Sequence, residues 1–192
     1  MARFGKVTTN ILKVYRSIDV RGKQCPVSYG AGILSTTFGP KKWQWEENAN
    51  IITEYHIDLT GLGVVGTAAN DVIGLVAGGV AYFDRYVVAE HGVIYKAEAI
   101  CLETPVGSAT ITVDIDVAFN TSGTLEYDGA AGAAELNFGG FAVGAIYAVT
   151  TPGALTTTDY MYLVEGDTAA TTGVYTGGML VIRLYGHAVL AA

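Results

Sequence analysis

Residues 92–117 read GVIYKAEAICLETPVGSATITVDIDV, and the reading of this stretch decides the fold. Ile111, Val113, Ile115 and Val117 alternate with Thr112, Asp114 and Asp116, the period-two pattern of a strand with one face on a core and one in water. Upstream, Val93, Tyr95, Ala97, Ala99 and Cys101 alternate with Ile94, Lys96, Glu98, Ile100 and Leu102. Between the runs, Thr104-Pro105-Val106-Gly107-Ser108 supplies turn residues, so a hairpin is expected, with Asp114 and Asp116 on its wet face.

Working outward, the same signature recurs. Tyr55, Ile57 and Leu59 alternate with His56 and Asp58, and Ala81–Val87, Thr124–Tyr127, Glu135–Phe138, Phe141–Val149, Tyr160–Glu165 and Met179–Tyr185 read as further strands. Turn signals such as Asp128-Gly129, Gly139-Gly140 and Thr151-Pro152-Gly153 separate them. Many short strands at this spacing predict an all-β protein, an antiparallel β-sandwich of jelly-roll type. No βαβ alternation and no repeat period competes with that reading.

With 192 residues, a domain of this size buries roughly 70% of its unfolded surface without disulfides or metals. Cys25 and Cys101 stand far apart in dissimilar settings, which predicts free thiols rather than a disulfide framework or a zinc cluster. The first twenty residues hold no uninterrupted apolar run, and no apolar stretch nears the length of a membrane span. A soluble, unexported protein is the expectation.

Charge divides the chain. Residues 1–42 carry eight basic side chains against Asp19 alone, a net of +7, whereas residues 43–192 hold three basic side chains against 17 carboxylates, a net of −14. Residues 1–48 are therefore expected to form an extended basic N-terminal arm, and residues 49–192 an acidic β domain. Ile11, Val14, Tyr15 and Ile18 follow Asn10 at helical spacing, but the β-branched content favours an extended segment. Trp43 and Trp45 lie on one side of an extended chain where the arm meets the body. The candidate partner-binding residues are thus Arg3, Lys6, Lys13, Arg16, Arg21, Lys23, Lys41, Lys42, Trp43 and Trp45. Acidic protein surfaces are the expected partner of the arm. Nucleic acid is the weaker reading, because the cations lie several residues apart without an RNA- or DNA-reading motif.

Reaction chemistry finds little footing. Gly61-Leu62-Gly63-Val64-Val65-Gly66 is a literal GxGxxG, yet a dinucleotide site needs a helix opening at its third glycine. The following segment, with Asn70-Asp71, Gly74 and Gly78-Gly79, is too glycine-rich to supply one. Asp114 and Asp116, with His56 and Asp58 nearby on another strand, are the only arrangement suggesting a divalent metal, and the same pattern describes any solvated sheet face. His56, His91 and His187 are dispersed and read as surface or loop residues. Asn120-Thr121-Ser122 matches a glycosylation sequon without a secretory signal beside it. No catalytic residue, cofactor or metal is expected.

Taken together, Asn70-Asp71-Val72-Ile73-Gly74, Gly92-Val93-Ile94-Tyr95, Cys101-Leu102-Glu103-Thr104-Pro105, Asp114-Ile115-Asp116, Tyr160-Met161-Tyr162-Leu163 and Tyr175–Gly186 resemble the small virion proteins encoded beside capsid genes in tailed phages. Over roughly residues 50–186 the chain looks like a head decoration, or cement, protein. The resemblance implies a β-sandwich or jelly-roll body, a homotrimer, bound to the major capsid protein on the outer surface of the virion after synthesis in the host cytoplasm. It implies binding, not catalysis; no membrane partner is expected, and nucleic acid stays the weaker reading of the arm. A tail or fibre module binding host glycan through Trp43, Trp45 and exposed tyrosines is the alternative.

Overall fold

Two fifteen-residue strands, β6 (Val93–Gly107) and β10 (Gly173–His187), run antiparallel through the middle of the larger of two sheets. In the computed structural model, which describes residues 23–35, 39–65, 70–108, 111–150, 152–153, 155–166 and 172–189, the other strands are β1 (Lys23–Cys25), β2 (Lys41–Glu47), β3 (Asn50–Asp58), β4 (Gly63–Val64), β5 (Tyr82–Arg85), β7 (Ile115–Asn120), β8 (Ile146–Val149) and β9 (Tyr160–Glu165). The larger sheet has the order β1-β2-β3-β10-β6-β8, with β4 paired to the start of β10. The smaller has the order β5-β9-β7. Every named strand pair is antiparallel, and the described residues are all-β apart from a short helix, α1 (Val88–His91), and a 3-10 turn at Ala31–Ile33. Tyr160–Glu165 is a strand as expected.

The expected hairpin does not form. β6 pairs with β10 and β8, whereas β7 pairs with β9 in the other sheet. Thr104-Pro105 does not reverse the chain, because β10 accommodates it. The β6–β10 register shifts around Gly177 and Met179, and Gly178 takes φ +131°, where an added Cβ would lie 2.9 Å from Pro105 Cα. Bulges and a glycine let an imino acid without an N–H sit in an interior strand. Residues 92–117 therefore cross from one sheet to the other instead of turning back.

A second bulge explains the faces of β6. Tyr185 pairs with Lys96 but Gly186 pairs with Ile94, so one extra residue at Tyr95 inverts the alternation. Ala97, Ala99 and Cys101 face the core as their periodicity predicts, while Ile94 is buried and Val93 exposed.

The expected border between arm and body falls inside the sheet. Asn48 and Ala49, with φ of 50° and 63°, form the two-residue turn that joins β2 to β3, where Glu47 pairs with Asn50. β1 and β2 add to the sheet, and Gly30 and Gly32 donate backbone hydrogen bonds to Tyr82 and Val80. Residues 23–35 and 39–48 thus belong to the folded body wherever they are described. The helical alternative for residues 10–18 lies outside the described residues.

Both sheets share one core. Tyr55, Ile57, Leu180, Ile182 and Leu184 meet Phe83, Ile115, Val117, Met161 and Leu163 in a single buried cluster. On the far side of the smaller sheet, Tyr162, Val164 and Ala118 pack against Val72, Ala81 and Ala131 from connecting segments. This sheet is covered on both faces, which accounts for the near-continuous burial of β9.

Alanine at a left-handed turn position costs about 1–2 kcal/mol in backbone strain that glycine avoids. Ala49→Gly is therefore expected to stabilise the protein by about 1 kcal/mol, read as a higher midpoint in urea denaturation with an unchanged slope.

Candidate functional site

The outer face of the larger sheet is a paired ionic and aromatic surface. Register aligns Trp43, Glu54, Arg183, Glu98 and Ala148 in one row across β2, β3, β10, β6 and β8. Arg183 donates from Nε to Glu54 Oε2 at 3.0 Å, and His56 Nε2 lies 2.8 Å from Glu54 Oε1. Tyr185 donates to Glu98 Oε2 at 2.6 Å, while Lys96 Nζ lies 2.6 Å from Glu98 Oε1. Trp43 packs against the His56 ring at 4.4 Å, and the Arg183 guanidinium lies over Trp45 at 5.9 Å. The His56 contact and the Arg183 fork hold the Glu54 carboxyl down at about 2, although burial opposes them.

On the opposite side of β2, the charge pattern changes character. Lys42 is 1% exposed, and its Nζ lies 2.8 Å from Asp84 Oδ2 and in contact with Glu90 Oε1. Tyr55 donates to Asp84 Oδ2 at 2.8 Å, and the Arg85 N–H donates to Oδ1 at 2.8 Å. His91, fully buried, places Nε2 2.9 Å from the Tyr55 oxygen, and its Nδ1 lies 3.1 Å from the Val87 N–H. Nδ1 is equally 3.1 Å from the Val87 carbonyl oxygen, so it meets both backbone groups of Val87, and the Tyr55 proton points to Asp84. Burial raises the Asp84 carboxyl, but His91 and the Lys42 ammonium lower it by more. Burial and the Asp84 charge push the Tyr55 hydroxyl well up. Gly186 makes room for α1, since a Cβ there would meet the His91 carbonyl oxygen at 1.9 Å. Beside the cluster is an open cleft of about 510 Å³, lined by Lys23, Cys25, Gln44, Trp45, Val87 and Glu90 among others.

The third feature is apolar. β8 is an edge of the larger sheet, and Leu102, Val143 and Ile146 beside it are 47%, 67% and 64% exposed. The Cys101 N–H donates to Ala145 O and the Val143 N–H to Thr104 Oγ1 at 2.9 Å, so these exposed side chains gather where β6 meets β8.

Of the candidate arm residues, Arg3, Lys6, Lys13, Arg16 and Arg21 lie outside the described residues. Lys23 and Lys41 are exposed, and Trp43 and Trp45 are half-buried on the outer face. Lys42 is not a surface contact at all. It pairs in register with Tyr55, on the inward side of the strand, and alternation alone separates it from Lys41. Asp116 is likewise not on a wet face: it is fully buried and accepts the Phe138 N–H at 2.7 Å. His91 is a core residue rather than a surface one. Asp58 accepts from Thr60 and Ser35, and it lies on a different sheet from Asp116. Among the described residues no group of three or more His, Cys, Asp or Glu is arranged to hold a metal. The GxGxxG stretch enters β4, and its described residues open no helix. Cys25 and Cys101 are free, and Asn120 uses its side chain on Ala131 O and the Ser122 N–H. No helix among the described residues is long and apolar enough to cross a membrane.

Comparison with protein-family models, with curated proteins and with solved structures finds no match for the chain.

A carboxyl lowered on folding contributes stability that is complete above its unfolded value near 4.5 and lost as pH falls through about 2. Glu54→Gln is expected to be less stable than the parent at neutral pH. The gap should close progressively below about pH 4.5, as measured by urea titrations across that range.

Proposed function

We propose that the chain is a non-enzymatic structural protein of a virion, a jelly-roll-type β domain with an N-terminal arm that decorates and stabilises a tailed-phage capsid from its outer surface. The observation that carries this reading is the exposed apolar strip of Leu102, Val143 and Ile146 beside an open sheet edge. Such a patch on an acidic body is suited to burial against protein. The major capsid protein and further copies of the chain, arranged as a homotrimer, are the partners this reading assigns. The net positive residues 1–42 complement acidic neighbours, including the body of another copy. Function then lies in the contacts made, and the resemblance to head decoration proteins supplies the setting.

A second reading has its own support. Trp43 and Trp45 share the outer face with His56, Arg183 and Tyr185, and flat aromatic surfaces with polar neighbours also suit sugars. In that case the chain is a tail or fibre module that binds host glycan.

Cryo-electron microscopy of virions is expected to show the protein at many copies on the head surface, with density at the Leu102–Ile146 edge touching a neighbour. Location at the tail alone would overturn the capsid reading, as would unimpaired head binding by folded Leu102→Glu/Ile146→Glu protein. The glycan reading predicts instead that a Trp43→Ala/Trp45→Ala protein loses glycan-array signal, while the edge variant keeps it.

A further inference from the structure

The outer ladder is a solvent-facing set of ion pairs, and the apolar edge already serves the proposed function. The Lys42 cluster is explained by neither. A lysine with 1% of its side chain exposed contacts two carboxylates at once. One of them, Asp84, is itself buried and has both oxygens held by fixed donors, Tyr55 O–H on Oδ2 and Arg85 N–H on Oδ1. The other, Glu90, is 43% exposed and stands between the cluster and the open cleft. Lys42 belongs to the larger sheet and Asp84 to the smaller.

We propose that Lys42 and Asp84 join in an intramolecular isopeptide bond that ties the two sheets together, with Glu90 as the proton acceptor. The proposal is independent of what the protein binds.

The atoms balance without any further reagent. In the ion pair, the proton shared between Nζ and Oδ2 moves to the carboxylate, giving a neutral amine and a carboxylic acid. That transfer runs against the pull of His91 and Lys42, which holds Asp84 as the carboxylate, so the neutral pair is the minor form through which the reaction passes. The Nζ lone pair attacks Asp84 Cγ, forming the C–N bond. Charge building on Oδ1 is met by the Arg85 N–H, which is already aimed at it. Glu90 takes a proton from Nζ and returns it to Oδ2, the Cγ–Oδ2 bond breaks, and one water leaves towards the cleft. An ammonium and a carboxylate become an amide and water, and nothing is oxidised or reduced. Contact between the reacting groups in a rigid β scaffold supplies the proximity that such a reaction needs. His91 and Tyr55 are positioning residues: Tyr55 donates to Oδ2, and His91 holds the Tyr55 hydroxyl.

The test is intact-mass spectrometry of the purified full chain, followed by peptide mapping. The parent protein is expected to be lighter than its sequence by the mass of one water and to yield a branched peptide joining Lys42 to Asp84. Lys42→Arg preserves a cation at the site but cannot form the amide; it is expected to show the full sequence mass. Glu90→Gln keeps a polar contact to Nζ and removes the proton acceptor, so it too should show the full mass when freshly purified. A parent protein of full sequence mass, with separate linear peptides carrying Lys42 and Asp84, overturns the proposal. So does a lost water that maps elsewhere, for instance to a cyclised Asp128-Gly129, or a Lys42→Arg protein as light as the parent. A Glu90→Gln protein that is fully cross-linked removes Glu90 from the mechanism.

Discussion

β10 is hydrogen-bonded along both edges, to β3 from Met179 to His187 and to β6 from Tyr175 to His187, and the larger sheet depends on this two-sided pairing. An interior strand must satisfy every backbone donor and acceptor within the protein. Its sequence, GVYTGGMLVIRLYGH, meets that demand with alternating Leu180, Ile182 and Leu184 facing the core and Met179, Arg183 and Tyr185 facing out. Its glycines lie where the regular ladder fails. Gly177 and Gly178 flank the bulges opposite Pro105, and Gly186 passes beneath the carbonyl of His91. The strand is thus regular where it carries the core and permissive where other segments press on it.

Strand identity was legible from local pattern for several segments but not for Thr124–Tyr127 and Glu135–Phe138, which make only isolated bridges, nor for most of Phe141–Val149, where only Ile146–Val149 is a strand; strand partnership was not legible. β10 and the core face of β6 follow from alternation, because a period of two is a property of the strand itself, whereas β9 follows from a short apolar run buried on both faces. The hairpin at Thr104–Ser108 fails because a proline reads as a turn until the facing strand is known, and the answer resides in Gly178, over seventy residues away. The border drawn at residue 48 fails for a related reason. Net charge divides the chain between residues 42 and 43, yet sheet hydrogen bonds are indifferent to side-chain sign, and β2 carries its lysines and tryptophans into the body.

The same distinction governs the site. Trp43 and Trp45 on one face could be inferred from spacing. By that spacing Lys42 had to point the other way, so its burial was implicit in the alternation that aligned the two indoles. What sequence could not supply was the counter-charge, because Asp84 and Glu90 arrive from beyond the first sheet. His91 was illegible for the same reason: a histidine at the end of a four-residue helix becomes a core residue only when Gly186 lets that helix lie on the sheet.

Two sets of charges in this protein do different physical work. The outer ladder of Glu54, Arg183 and Glu98 is partly solvated, so salt and acid weaken it and each pair contributes modestly. The inner Lys42–Asp84 pair is buried, and there an unpaired Lys42 or Asp84 would cost about 3–5 kcal/mol. The inner pair therefore constrains the fold far more than the outer one. Lys42 can be buried only if β5 presents Asp84 opposite β2, which fixes how the two sheets are set against each other. Apolar side chains in the shared core tolerate some sliding, whereas a buried ion contact of 2.8 Å does not. The pair thus supplies a registration between the sheets that hydrophobic packing alone leaves loose, and a protein whose proposed task is to brace a shell has use for that rigidity.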